Sequence, residues 1–246
     1  MFTYQILIEY VGTKYVGWQK QKNSKSVQET IEKALKKIVK KKIKVYGSGR
    51  TDAGVHAIEQ SAHFQTNDKI DHILKFIKSI NFFLSNSEIS ILKIKKRKNT
   101  FHARYSATQR TYKYLIINRE SYLAIEKNRA WNVRKTLNIK LMKNGAKILK
   151  NTKDFSTFRS SSCGAKNSIR KLEKVKIKKE KNKIELTFVS RSFLQQQVRS
   201  MVGCLKYLGE QKWSTKKFKQ VADSRKRTDC APPAPPHGLY LAKVSY

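Results

Sequence analysis

Acidic residues are scarce in this chain of 246 residues: 17 Asp and Glu stand against 54 Lys and Arg, a formal net charge of +37. Cysteine is scarcer, with Cys163, Cys204 and Cys230 scattered along the chain and odd in number. The absence of any C-x-x-C argues against a disulfide framework or a zinc site. No run approaches the roughly 18–20 apolar residues of a membrane span, and the first ten residues alternate like a strand rather than a signal peptide. These features predict a soluble, cytoplasmic protein. Proline occurs four times, all within Ala231–Pro236, and three of the ten glycines fall in one short loop. There is no internal repeat and no low-complexity linker.

The charge that remains favours polyanionic partners, nucleic acid first and acidic membrane second. At this length the chain can bury a substantial core as one large domain or two small ones. Phe2–Val11 reads as a strand, with Ile6 and Ile8 on one face and Gln5, Leu7 and Glu9 on the other. A helix is predicted from Ser26, where Ser26 and Glu29 form a capping box ahead of Val27, Ile31, Ala34, Leu35 and Ile38 at helical spacing. Strands are expected over residues 42–48, 56–66, 88–95, 169–178, 184–190 and 238–244, with extended segments over 100–107 and 110–118. Helices are expected over 70–84, 139–150, 193–208 and 215–224. The mixture lacks a strict βαβα rhythm, so the fold class is α+β with a largely antiparallel sheet.

Gly47-Ser-Gly-Arg-Thr-Asp-Ala-Gly-Val-His56 is the most informative stretch. It places Asp52 next but one to Arg50 and frames both with glycines, on a loop between two strands. Before His56 the only other acids are Glu9, Glu29 and Glu32. Glycine permits positive φ and close approach of a ligand. A plainer reading is a Gly-rich turn with Asp52 as an ordinary turn residue. The loop lacks the G-K-[ST] ending of a phosphate-binding P-loop and the third glycine of a dinucleotide fold. The zinc deaminase pattern and a G-x-S-x-G nucleophile motif are also absent.

Two further runs carry usable chemistry, Arg110-Thr-Tyr-Lys-Tyr114 and Arg191-Ser-Phe-Leu-Gln-Gln-Gln-Val-Arg199. A carboxylate beside an arginine is favoured in its ionised form and can act as base or nucleophile, and a bidentate pair fixes its direction. Tyrosine offers a face for a splayed-out base and a phenol for proton transfer. On a helix from Phe193, positions Gln195, Val198 and Arg199 share a face, so Arg199 can point inward. Singly, Tyr112 and Tyr114 also read as core aromatics, and Arg199 as a solvated helix residue.

The ordered set of motifs resembles the tRNA pseudouridine synthase A family almost end to end. The residues that carry the resemblance are Gly17-Trp18-Gln19, Ser26-Val27-Gln28, Gly49–His56, Asn81–Leu84, Phe101-His102-Ala103-Arg104, Arg110–Tyr114, Phe193-Leu194, Val198-Arg199, and Ala234-Pro235 with His237–Leu241. The chain departs from the family pattern at Gln195–Gln197, at Ser85, and in the longer Pro-rich segment. The resemblance implies a sheet spanning two similar subdomains, residues 1–105 with the Asp loop and 106–246 with the Tyr and Arg motifs, and a basic cleft between them. It implies Asp52 and Arg199 as a catalytic pair, Tyr112 stacked on the uracil, and Arg50 and Arg104 as substrate-binding residues. It further implies isomerisation of uridine to pseudouridine at positions 38–40 of the tRNA anticodon arm, by a homodimer without cofactor, metal or small-molecule cosubstrate. The alternative from another class is a non-catalytic RNA-binding protein or RNA chaperone. A base-modifying transferase would need a donor motif that the sequence does not supply.

Overall fold

Residues 1–246 are described by a computed structural model, and they divide into two units, 1–108 with 240–246, and 109–239. In the first unit, β1 (Phe2–Tyr10) runs antiparallel to β3 (His56–Thr66) on one side and to β4 (Ile89–Arg97) on the other. Ile6 and Ile8 are fully buried, as alternation predicts. Gln5, on the opposite face, is buried too, because its amide donates to Ser61 Oγ at 2.8 Å and accepts from Arg97 Nε at 2.9 Å. A buried polar side chain is tolerable when both ends are satisfied. The last strand of the chain, β9 (Leu239–Ser245), pairs in parallel with β3 through His56↔Tyr240 and Ala57↔Leu241.

Helix α1 (Val27–Val39) starts as its sequence dictates: Ser26 Oγ accepts from the Glu29 amide at 3.3 Å, and Val27, Ile31, Ala34 and Leu35 are buried. Lys40, at φ +58°, closes it in the left-handed region. Helix α2 (Ile73–Leu84) begins three residues later than expected, with the Ile70 amide taken by the Tyr4 phenol at 2.8 Å. The expected strand over 42–48 shrinks to β2 (Tyr46–Gly47). The backbone of Val45 is claimed by α1 side chains instead, its amide by Glu32 Oε1 at 2.9 Å and its carbonyl by Gln28 Nε2 at 3.0 Å. Residues 100–107 are a turn, not an extended segment, because the Ser106 amide closes onto the His102 carbonyl at 2.9 Å.

In the second unit β5 (Gln109–Asn118), β8 (Lys183–Ser190) and β7 (Leu172–Glu180) form an antiparallel ladder, and the short β6 (Trp131–Val133) pairs in parallel with β5. Tyr114, Ile116, Leu186 and Phe188 are fully buried on it, each large apolar side chain contributing about 1.5–3 kcal/mol of transfer free energy. Helices α3 (Ile139–Asn151), α4 (Gln197–Gly209) and α5 (Thr215–Asp223) complete the unit. A Cβ on Gly145 of α3 would lie 2.7 and 2.8 Å from methyls of Leu208 and Leu205, so glycine sets how closely α3 and α4 approach. Helix α4 starts at Gln197 rather than Phe193. Gln196 takes φ +60°, and Gln197 Oε1 accepts from the Leu194 amide at 2.8 Å, stabilising a turn before the helix. Gln195 therefore lies outside the helix and does not share a helical face with Arg199. Five helices and nine strands with mostly antiparallel pairing make this a mixed α/β fold.

Candidate active site

Asp52 opens a four-residue turn in which the Val55 amide returns to the Asp52 carbonyl at 3.2 Å, with Gly54 at φ +76°. Only glycine adopts that conformation without a steric cost. The turn is held from both sides. On one side the Thr51 carbonyl accepts from the Trp18 amide at 3.1 Å, the Gly54 amide reaches the Tyr15 carbonyl at 3.3 Å, and Thr51 Oγ1 bonds the buried Tyr10 phenol at 2.8 Å. On the other, Gln60 accepts from Ser48 Oγ at 2.7 Å and donates to the Gly49 carbonyl at 3.0 Å.

The chain passes so close to the loop that side chains are excluded. A Cβ on Gly17 (φ +112°) would lie 2.4 Å from the Thr51 carbonyl oxygen, and one on Gly47 would lie 2.5 Å from the Trp18 indole nitrogen. Beneath the loop, His56 Nδ1 accepts from the Gly12 amide at 3.0 Å, and its ring stacks on Tyr240 at 4.8 Å. His56 thus shapes the loop. Against this packing Asp52 stays partly exposed and Arg50 exposed, while Thr51 between them is buried. The carboxylate is thus carried by a backbone that has little freedom.

The Tyr and Arg motifs lie in the second unit. Tyr112 is buried on β5 with its ring edge-on to Phe193, centroids 5.1 Å apart and planes at 86°. Arg110 is buried and its guanidinium donates to the Arg191 carbonyl. On α4, Arg199 is locked to the Pro-rich segment twice: Nε donates to the Ala234 carbonyl at 2.8 Å, and the Ala234 amide donates to the Arg199 carbonyl at 2.9 Å. Gly203, one turn on, permits that approach, since a Cβ there would lie 2.1 Å from the Pro232 carbonyl oxygen. The next residue binds as well, the Tyr114 phenol donating to the Pro235 carbonyl at 2.8 Å. Burial pushes the Tyr114 phenol well above its ordinary value, with the Arg199 charge working against the rise. Burial and then the Arg199 charge lower the His237 imidazole.

Asp52, Arg50 and Arg104 belong to the first unit, Tyr112 and Arg199 to the second. Arg104 sits exposed in the turn after Phe101, its guanidinium 5.7 Å from the Tyr105 ring. Sequence reasoning passed over Tyr10, Gln60 and the contact of His56 with Tyr240, which hold the loop. Tyr10 and Gln60 look like ordinary strand residues, and no local pattern links them to residues some 40 and 11 positions away.

The model of the tRNA pseudouridine synthase family matches residues 6–106 and 146–246. A tRNA pseudouridine synthase A of Pelagibacter ubique (strain HTCC1062) is 58% identical over 246 residues, covering 100% of both chains. Enzymes of the same name from Neorickettsia sennetsu (43% identical, 99% of each chain) and Maricaulis maris (39% identical, 99% of this chain and 97% of the relative) are similar over their lengths. The Asp loop and the Arg199 helix fall within the matched residues and the Tyr112 strand falls between the two matched segments; with full-length relatives at 58% identity, the chain belongs to the tRNA pseudouridine synthase A family of isomerases.

Proposed function

We propose that the protein isomerises uridine to pseudouridine in the anticodon stem-loop of tRNA, at positions 38–40, with Asp52 and Arg199 as catalytic residues. The single observation that carries this is the Asp52 turn, where a partly exposed carboxylate stands on a backbone tied to Trp18, Tyr15 and Gln60. The reaction breaks the N1–C1′ bond, turns the freed base and forms C5–C1′. A proton leaves C5 and N1 ends protonated, so neither redox change nor group donor is involved. Tyr112 stacks on the uracil and serves the departing C5 proton. Arg50 and Arg104 bind the RNA.

Extruding the uridine costs roughly a few kcal/mol, which cationic contacts to phosphates can offset. A net charge of +37 supports that reading. No helix is long and apolar enough to cross a membrane, in keeping with action on tRNA in the cytoplasm. The reading also carries a homodimer, and exposed Leu74 and Phe82 on α2 are apolar surface that a second copy can cover.

The test is release of tritium from C5 of uridine in an unmodified tRNA transcript. The protein is expected to release label from the anticodon arm, and replacing uridines 38–40 by cytidine abolishes release. Tight binding without release identifies a chaperone instead.

A further inference from the structure

Beside Arg104, the first unit carries a row of rings not assigned so far, with a cation at each end. Tyr46, on β2, lies 5.8 Å from His102, and His102 lies 4.4 Å from Tyr105 at 33°. Lys44 Nζ sits 5.2 Å from the Tyr46 centroid, and the Arg104 guanidinium 5.7 Å from that of Tyr105. Beneath the row, His63 stacks on Tyr46 at 5.1 Å and meets His102 edge-on at 4.7 Å. Tyr105 is 74% exposed and Tyr46 38%. A tyrosine that open gains little from the hydrophobic effect, so folding alone does not account for its placement on a ring partner.

The histidines at the centre of the row are tied to the backbone. His63 Nδ1 accepts from the Ala103 amide at 3.2 Å, and His102 Nδ1 from the Arg104 amide at 3.1 Å. Nitrogens that accept amide protons are not themselves protonated. Burial, and then the repulsion that a protonated His102 would exert, lowers His63 to about 4, and burial with the Arg104 charge lowers His102. The segment is pinned from below by Tyr246, whose phenol donates to the Ala103 carbonyl at 2.9 Å and whose ring packs on Phe101 at 4.9 Å. Flat rings held in place and flanked by cations suit an unpaired base and its phosphates, because little ordering entropy is lost on binding.

We propose that Tyr46, His102 and Tyr105, with Lys44 and Arg104 at the ends, form a stacking platform for an unpaired nucleotide of the RNA other than the target uridine. The inference rests on tRNA being the substrate and adds a second point of contact to it.

The experiment measures affinity for an unmodified tRNA transcript by filter retention, and KM and kcat for pseudouridine formation. Tyr105→Ala is expected to weaken binding about five- to hundredfold, within the range found for loss of one stacked base. KM rises with it and kcat changes little. Tyr105→Phe retains wild-type affinity, whereas Tyr105→Leu behaves like Tyr105→Ala. The equally exposed Tyr122→Ala is the control and leaves affinity unchanged. Lys44→Ala lowers the slope of log affinity against log salt by about 1. Wild-type affinity in Tyr105→Ala or Tyr105→Leu overturns the platform, as does a fall in kcat at constant KM. A wild-type protein that forms no pseudouridine refutes the proposed function instead, whichever way the binding series turns out.

Discussion

The Asp52 turn and the start of α4 solve the same problem by different means. Asp52 is placed by backbone: glycine at positive φ, two close passes of the chain, and side chains that bind main-chain groups on either flank. Arg199 is placed by its own guanidinium, which grips a carbonyl in the segment that holds every proline of the chain. A carboxylate has no donors when ionised, so the structure around it must supply the order. A guanidinium has five N–H groups and can anchor itself with some while presenting the others. Both arrangements are vulnerable to an added methyl group, and the second also to loss of the segment that is gripped.

The largest expected effect falls on the chemistry. Asp52→Asn keeps the shape of the side chain and is expected to bind tRNA within a few-fold of wild type while forming no pseudouridine, as read by tritium release and binding on the same preparation. Detectable product from that variant removes Asp52 from its assigned role. Next comes Tyr112→Ala, expected to lose about ten- to hundredfold in kcat/KM from the stacking contribution. Tyr112→Phe loses less, and equal losses would favour the proton-transfer role of the phenol over stacking.

The glycines sharpen the comparison directly. Gly17→Ala places a Cβ 2.4 Å from a carbonyl oxygen at φ +112°, and is expected to destabilise the first unit by about 2–3 kcal/mol in urea unfolding. Gly203→Ala has ordinary helical φ and meets the Pro232 carbonyl oxygen at 2.1 Å; its expected cost is about 1–3 kcal/mol from overpacking. If Gly203→Ala unfolds more readily than Gly17→Ala, the contrast between the two anchoring modes fails.

The smallest effect is a pH dependence. Folded His63 binds its proton only near pH 4, whereas the unfolded residue does so near 6.5. The unfolded chain therefore holds more protons between these values, and stability is complete above about 6.5 and declines as pH falls toward 4. His102 and His237, also lowered, act in the same direction. Denaturation midpoints at pH 7 and pH 5 are expected to differ less in His63→Gln than in wild type.

Local sequence signals suffice where local physics decides the outcome. Ser26 and Glu29 announce the start of α1, and the alternation of Ile6 and Ile8 announces β1, because each depends on neighbours three or two residues away. The glycine density around Asp52 likewise marks a loop that must turn sharply. The misreadings share a cause. The strand over 42–48 gives way because Glu32 and Gln28 capture the backbone of Val45. The turn at 102–106 and the late start of α4 arise from side chains, His102 and Gln197, that bond amides nearby and displace the regular pattern. β6 is only three residues long and gains its pairing from β5, more than ten positions earlier, so it leaves no periodicity to read.

Residues 240–246 close the first unit, where Tyr240 lies under the histidine that supports the Asp turn and Tyr246 ties down the segment bearing Arg104. During synthesis, the half of the protein made first must wait, unfinished on one side, until the whole intervening unit has left the ribosome. Nascent chains consequently emerge with the Asp52 turn tied by residues 10–60 but with no ring beneath His56 until Tyr240 is in place.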